Sequence, residues 1–481
     1  MLFNSLEFII FFPIVVALYF AISPKYRWIL LLLASYYFYM CWNYKYIILI
    51  ALSTIIDYIA GILIYRSEKK KLRTLFLLAS LGTNLGLLFF FKYFNFFGES
   101  INFVIDQFNI FKSYHVPYYN YLLPVGISFY TFQTLSYTID IYKRERSPEY
   151  HFGKFALFVS FFPQLVAGPI ERSVNLLPQF HKDFKFDYER VKSGILLMCW
   201  GFFKKVVIAD RLAEYVNEVY NHAPDYHGLP LILATLFFAF QIYCDFSGYS
   251  DIAIGSAKIM GYDLMTNFRR PYLAVSIQDF WRRWHISLST WFRDYVYIPL
   301  GGNRVAKWRW HFNLMATFVI SGLWHGANWT FIIWGALHGI YQSSAVLSKK
   351  LRGKINDTVG LTSSPVTHYI LQIVFTFILV IFGWIFFRAN SLGDAILVIK
   401  NFFVFDGVGE INLFRVPADF SIALVSIGLL LFIEVFEEHI QLYEKLQQIA
   451  RPVKWVVLVV LILCVFTLGM WEEQDFLYFQ F

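Results

Sequence analysis

One ionisable residue stands inside the apolar run FVISGLWHGANWTFIIW, and it is the side chain best suited to chemistry, His325. Such a group in a membrane-length apolar segment is costly, and its default reading is functional. A neutral imidazole takes a proton from a hydroxyl and later returns it. On a continuous helix Ser321 and Gly322 lie one turn before His325, and Asn328 and Trp329 one turn after it. These form a small polar face on an otherwise apolar helix. The competing reading is a histidine bonded to a neighbouring helix for packing alone.

Two further histidines share this part of the chain. His285, in RRWHIS, sits beside Arg282 and Arg283 and suits the entrance of a cavity or a plain interfacial position. His338, in WGALHG, is 13 residues beyond His325, about 20 Å along one straight helix, so it reads as structural or tunnel-lining unless the helix breaks. In QIYCDFSGYSDIAIG, Asp245 and Asp251 are six apart and share no helical face. Two carboxylates could suggest glycosidase chemistry or a proton relay, but they read as groups that bond backbone at a helix interruption, or that partner an Arg or His. Cys41, Cys199, Cys244 and Cys464 are scattered and predict buried thiols, with no metal site or disulfide framework. No GxSxG, P-loop, HExxH or GxGxxG occurs, so nothing in the motifs supports a metal or nucleotide cofactor.

The elements that position these residues are membrane helices. The 481 residues are 58% hydrophobic and 15% charged, against about 25% charged in an average soluble domain. Apolar runs return after every charged loop, so the chain reads as a single multi-pass domain, 1–481. Spans of about 20 residues are expected near 6–22, 28–42, 46–64, 75–94, 120–139, 154–170, 190–208, 229–246, 315–343, 368–387, 420–436 and 452–470, about a dozen in all. The first reads as a retained span, since no basic n-region or small-residue cleavage site accompanies it. The net charge of +8 resides in short loops, Arg66–Arg73, Lys143–Arg146 and Lys349–Arg352 among them. That is the positive-inside pattern and places them in the cytoplasm; nucleic acid is not implied. The acidic pieces Glu434, Glu437, Glu438 and Glu472, Glu473, Asp475 guide topology little.

Residues 267–310 differ, with eight basic residues against Asp279 and Asp294 and with five of the 14 tryptophans. This predicts an amphipathic interfacial or re-entrant helix with aromatics at headgroup depth, turned at Gly301-Gly302-Asn303. From Trp310 to Ser348 there is no Asp, Glu, Lys or Arg, and the glycines within predict a broken helix or a helical pair.

Six pieces in order carry a family resemblance: LLPVGISFYTFQTLSYTIDIY (122–142), FFPQLVAGPIERS (161–173), QIYCDFSGYSDIAIG (241–255), FWRRWHISLSTWFRDYVYIPLGGN (280–303), SGLWHGANWTFIIWGALHG (321–339) and the terminal LYFQF. The chain resembles a membrane-bound O-acyltransferase, most closely the bacterial branch that acetylates alginate or peptidoglycan. The resemblance implies an all-α polytopic core pierced by a transmembrane tunnel. It implies that His325 is the essential catalytic residue and that His285 lines the same tunnel. It also implies a cytoplasmic thioester donor, acetyl-CoA, used as substrate with no bound cofactor, and an acceptor arriving from the other face. A separate extracytoplasmic esterase-type partner, SGNH-like, completes such a transfer.

Within this reading His325 deprotonates the acceptor hydroxyl, and Ser321 belongs to its polar face. Asn328 or Trp329 Nε1–H stabilises the oxyanion. Arg282, Arg283, Arg293 and Lys307 either draw coenzyme A phosphates or simply anchor the loop. Two rivals remain open. One is a D-alanyl transferase that uses a carrier-protein thioester on teichoic acid. The other is a transporter or flippase with midplane polar groups and no chemistry, although no related halves are visible.

Overall fold

Ser5 opens the first helix by accepting the Phe8 N–H at its hydroxyl, and Pro24 opens the second from its fixed φ. The computed structural model describes residues 1–110, 114–166, 168–405, 411–440, 451–471 and 476–479. Glu472, Glu473, Asp475 and the last two residues of LYFQF lie outside them. The helices are α1 (Leu6–Ala21), α2 (Pro24–Asn43), α3 (Ile47–Arg66), α4 (Lys70–Leu88), α5 (Phe94–Phe108), α6 (Ile127–Tyr142), α7 (Phe152–Ser160), α8 (Phe162–Leu165), α9 (Ser173–Leu176) and α10 (Tyr188–Phe202). Beyond these come α11 (Asp210–Asn221), α12 (Leu229–Met260), α13 (Ile277–Arg283), α14 (Ile286–Phe292), α15 (Lys307–His325), α16 (Trp329–Leu347) and α17 (Lys349–Thr358). The last are α18 (Pro365–Arg388), α19 (Leu392–Asn401), α20 (Pro417–Ile440) and α21 (Arg451–Leu468). No strand occurs among the described residues.

The fold comprises two compact units. One holds Met1–Met198, Ser250–Met265 and a terminal piece from Tyr478; the other holds Cys199–Tyr249 and Thr266–Leu477. In the first unit α3, α4 and α6 pack around a buried polar cluster. The Asp57 carboxylate accepts from Ser80 Oγ at 2.6 Å and from Asn84 Nδ2 at 2.9 and 3.0 Å, and Ser53 Oγ donates to Asn84 Oδ1 at 2.5 Å. Paired groups of this kind are what allow polar residues within apolar helices.

By length and composition, five helical stretches among the described residues can cross a membrane: Pro24–Arg66, Lys70–Phe108, Leu229–Met260, Pro365–Arg388 and Pro417–Ile440. Leu6–Ala21 and Pro452–Leu468 are shorter apolar helices. The span expected at 154–170 is instead the nine-residue α7 followed by α8, and residues 155–165 are buried throughout. Its hydrophobicity serves protein packing and not lipid contact. The span expected at 120–139 starts only at Ile127 and is buried on nearly every side. At 16 residues it is about 24 Å long.

In the second unit the segment after α10 winds as a π-helix over Phe203–Ala209. A π turn leaves a carbonyl without its usual helical donor. Here Val206 O accepts the Met470 N–H at 2.8 Å. The same segment turns Lys205 inward, with Nζ 2.7 Å from Asp210 Oδ1 and 2.7 Å from Asp245 Oδ1. Asp245 Oδ2 accepts the Leu477 N–H at 2.8 Å. The partner of Asp245 is thus a lysine and not the expected Arg or His, and α12 runs unbroken around it, with no helix interruption.

The run from 310 to 348 is a helical pair. α15 and α16 pack closely along their lengths because glycines meet at the crossing. A Cβ on Gly322 would lie 2.3 Å from Phe331 O, and one on Gly335 would lie 2.3 Å from Phe318 O. Gly322→Val is expected to lower the midpoint of thermal unfolding by several degrees, on an overpacking cost of about 1–3 kcal/mol or more. Gly86→Val, where a Cβ meets nothing within 4 Å, is the control and leaves the midpoint in place.

Candidate active site

The break between α15 and α16 creates the site. α15 ends on His325, Gly326 is extended, and Asn328 caps α16 by accepting the Thr330 N–H at 3.0 Å. A Cβ on Gly326 would fall 2.2 Å from the Phe331 ring, so only glycine allows this turn. His325 is 2% exposed. Its ring centroid lies 4.9 Å from Trp334, 5.0 Å from Trp324, 5.4 Å from Phe387 and 6.4 Å from His285. Two imidazoles far apart in sequence thus face one another within an aromatic shell.

His285 stands between α13 and α14 at φ 43°, in the left-handed region. A non-glycine residue there is uncommon and persists where its surroundings fix it. Asn267 does so. Its Oδ1 lies 3.1 Å from His285 Nδ1 and accepts from Ser287 Oγ at 2.9 Å, while its own carbonyl accepts the Ile286 N–H at 2.9 Å. A carbonyl oxygen only accepts, so the His285 proton sits on Nδ1, and Nε2 carries the lone pair.

A cavity of about 530 Å³ in the same unit is lined by Arg282, Ser289, Thr290, Tyr297, Thr317 and Ser321 among others; neither His285 nor His325 is among its lining residues. On α15 its lining reaches Ser321, one turn before His325. Trp281 and Phe318 form the wall towards His338. Trp281 Nε1 donates to His338 Nδ1 at 3.2 Å. The straight-helix estimate that kept His338 20 Å from His325 does not hold. The hairpin turns α16 back, and the Trp334 ring lies 4.9 Å from His325 and 5.0 Å from His338.

The remaining expected site residues divide. Ser321 and Arg282 line the cavity. Arg283 turns elsewhere, with Nε 3.0 Å from Asp279 Oδ2 and Nη1 2.9 Å from Glu438 Oε1; Glu438 also holds Arg270 at 2.6 Å. Its charge is consumed in joining α13 to α20. Arg293 lines the cavity but pairs with Asp294 at 2.7 Å, and Lys307 is exposed. Asn328 is engaged as a cap and donates to Asn390 O at 3.2 Å, and Trp329 is 53% exposed. Because the helix ends at His325, neither continues its face, as a straight-helix reading required. Asn267 and Lys205 carry no local sequence signal, and the helical spacing of Trp281 shows only an aromatic face, since each acts through a partner distant in sequence. Among the described residues no group of three or more His, Cys, Asp or Glu side chains is placed to hold a metal.

The described residues are all-helical, with helices long and apolar enough to cross a membrane and with buried histidines among them. Residues 100–390 match the membrane-bound O-acyltransferase family, and the chain belongs to it; it is an O-acyltransferase. It is 40% identical over 396 residues to the probable alginate O-acetylase AlgI of Pseudomonas putida, covering 82% of this chain and 78% of that protein. It is 37% identical over 452 residues to the peptidoglycan O-acetyltransferase of Helicobacter pylori, covering 87% and 83%. The teichoic acid D-alanyltransferase of Bacillus subtilis is more distant, 30% identical over 288 residues that cover 57% of this chain and 71% of that protein.

Proposed function

We propose that this chain transfers an acetyl group from acetyl-CoA on the cytoplasmic side, through a tunnel across the bacterial cytoplasmic membrane, towards a cell-surface polysaccharide. The observation that carries the mechanism is the buried His325–His285 pair, 6.4 Å apart, with the 530 Å³ cavity reaching Ile286, the neighbour of His285, and Ser321, one turn before His325. His325 takes the acceptor hydroxyl proton, and the alkoxide attacks the thioester carbon. The thiolate leaves and is protonated by the imidazolium. With Asn328 and Trp329 turned away, two other N–H groups are candidates for the oxyanion. Trp281 occupies His338 Nδ1, so the His338 proton sits on Nε2. That Nε2 and Trp334 Nε1 are buried without a hydrogen-bond partner among the described residues. Preorganised donors of this kind are worth about 2.7–4 kcal/mol each to a tetrahedral intermediate.

Acetyl in place of D-alanyl transfer is supported by the higher identity and coverage of the acetylating relatives. Transport without chemistry has no comparable support. A separate extracytoplasmic SGNH-like transferase is the expected partner that passes the acetyl group to polymer. Mass spectrometry of surface polymers from cells with and without this gene tests the function. Acetyl esters that vanish with the gene are expected; D-alanyl esters that vanish instead overturn the acetyl assignment.

Arg282 and Arg283 separate binding from folding. Arg282→Gln is expected to raise KM for acetyl-CoA by about fivefold to tenfold, on about 1 kcal/mol per exposed charge contact, at unchanged thermal stability. Arg283→Gln is expected to lower the unfolding midpoint because Glu438 loses a partner. Steady-state kinetics and melting of both purified variants check this.

A further inference from the structure

A second cavity, of about 390 Å³, lies wholly within the first unit. Its walls carry Lys25, Arg27, His151, Lys154, His181 and Lys182, with Asp183 as the one carboxylate among its lining residues. Lys154 Nζ donates to His181 Nδ1 at 3.0 Å, and His181 Nε2 donates to Glu149 Oε2 at 2.8 Å, which orients this side of the rim. Arg27 lies over the Tyr19 ring at 4.7 Å and donates to Phe184 O at 2.5 Å. No carboxylate pairs with Lys25 or Lys182 among the described residues. Below the basic rim the walls are aromatic, from Tyr26, Trp28, Phe180 and Tyr262.

Three features decide what this cavity takes. First, the four full positive charges of Lys25, Arg27, Lys154 and Lys182 outnumber the carboxylates of Asp183 in the lining and Glu149 at the rim, and call for an anion. Second, the cavity adjoins the basic loops. The loop after α6 is tied to the end of α3 and the loop beyond it by Arg144, whose Nη1 donates to Tyr65 O at 2.7 Å and Nη2 to Ser67 O at 3.2 Å, and it leads directly into the rim at Glu149 and His151. Third, α2 carries an exposed apolar stripe that starts at the cavity and runs away from it: Ile29, Leu33, Tyr37 and Met40, 37%, 63%, 54% and 38% exposed. A phosphate held at the rim places anything esterified to it along that stripe.

We propose that this cavity binds a phosphate ester, the headgroup of an anionic lipid of the cytoplasmic leaflet, with its acyl chains along α2. A soluble phosphate ester such as the bisphosphate end of coenzyme A shares the headgroup chemistry but has no use for the stripe.

The test uses the full chain in nanodiscs of phosphatidylcholine doped with phosphatidylglycerol, then extraction and native mass spectrometry of bound lipid. The wild type is expected to retain one phosphatidylglycerol per chain, less at high salt. Lys25→Gln with Lys182→Gln is expected to lose it about tenfold or more, given the pull of each basic residue on anionic headgroups. Leu33→Asn is expected to weaken retention with every charge kept. Melting in pure phosphatidylcholine shows that the variants are folded. Excess adenosine 3′,5′-bisphosphate is expected to leave the lipid bound. Displacement by the bisphosphate, with Leu33→Asn unaffected, assigns the site to a soluble phosphate ester and overturns the lipid. Equal retention in wild type and the double lysine variant overturns the site itself.

Discussion

His325→Ala is expected to cut acetyl ester formation by about 10²- to 10⁴-fold, the usual contribution of a general base, while the protein remains in the membrane at wild-type amount. The argument is geometric. His325 ends α15 at a turn that Gly326 permits, and its ring is held by Trp324, Trp334 and Phe387. Removing the ring leaves that shell, the hairpin and Asn328 as cap in place. His325→Gln, which keeps bulk and hydrogen bonding but cannot shuttle a proton near neutral pH, should be as inactive as alanine. Ester content of surface polymer per unit of membrane protein measures the effect. Esterification that survives in the glutamine variant sinks the base assignment.

Lys205→Met is expected to produce the largest loss of stability, about 3–5 kcal/mol, the usual cost of removing one partner of a buried ion pair. Lys205 has a side chain 2% exposed and meets two carboxylates at 2.7 Å. Methionine keeps most of its volume and strands Asp210 and Asp245 together in the core. The defect should appear as lost membrane abundance and a much lower unfolding midpoint. The triple variant Lys205→Met, Asp210→Asn, Asp245→Asn is expected to regain most of the lost stability, because replacing a whole buried ionic group is often close to neutral. A triple variant as unstable as the single one rules out the stranded-charge explanation.

The parts of the site that local pattern can reveal were legible. A histidine in an apolar run, a second in a basic aromatic stretch, and Ser321 one turn before the first were all readable from spacing. The charge-free stretch from Trp310 with its glycines announced a helical pair. Treating the residues around His325 as one helix put Asn328 and Trp329 on its face, although an asparagine two residues beyond a glycine is also a capping signal. Asn267, which sets the His285 tautomer, and Trp281, which holds His338, work through tertiary contacts that no periodicity encodes. Hydropathy overstated the spans at 120–139 and 154–170 for a related reason: a helix buried in protein is as apolar as one in lipid.

The indoles around His325 give this enzyme a built-in optical signal. Trp334 lies 5.8 Å from Trp281 and from Trp384, and Trp384 lies 5.1 Å from Trp284. Excitation absorbed by the other three rings can pass to Trp334, which also neighbours the imidazoles of His325, at 4.9 Å, and His338, at 5.0 Å. A protonated imidazole quenches indole emission, so a proton taken up by His325 is expected to dim the fluorescence of the unlabelled chain, with His338→Gln as the variant that removes the second imidazole.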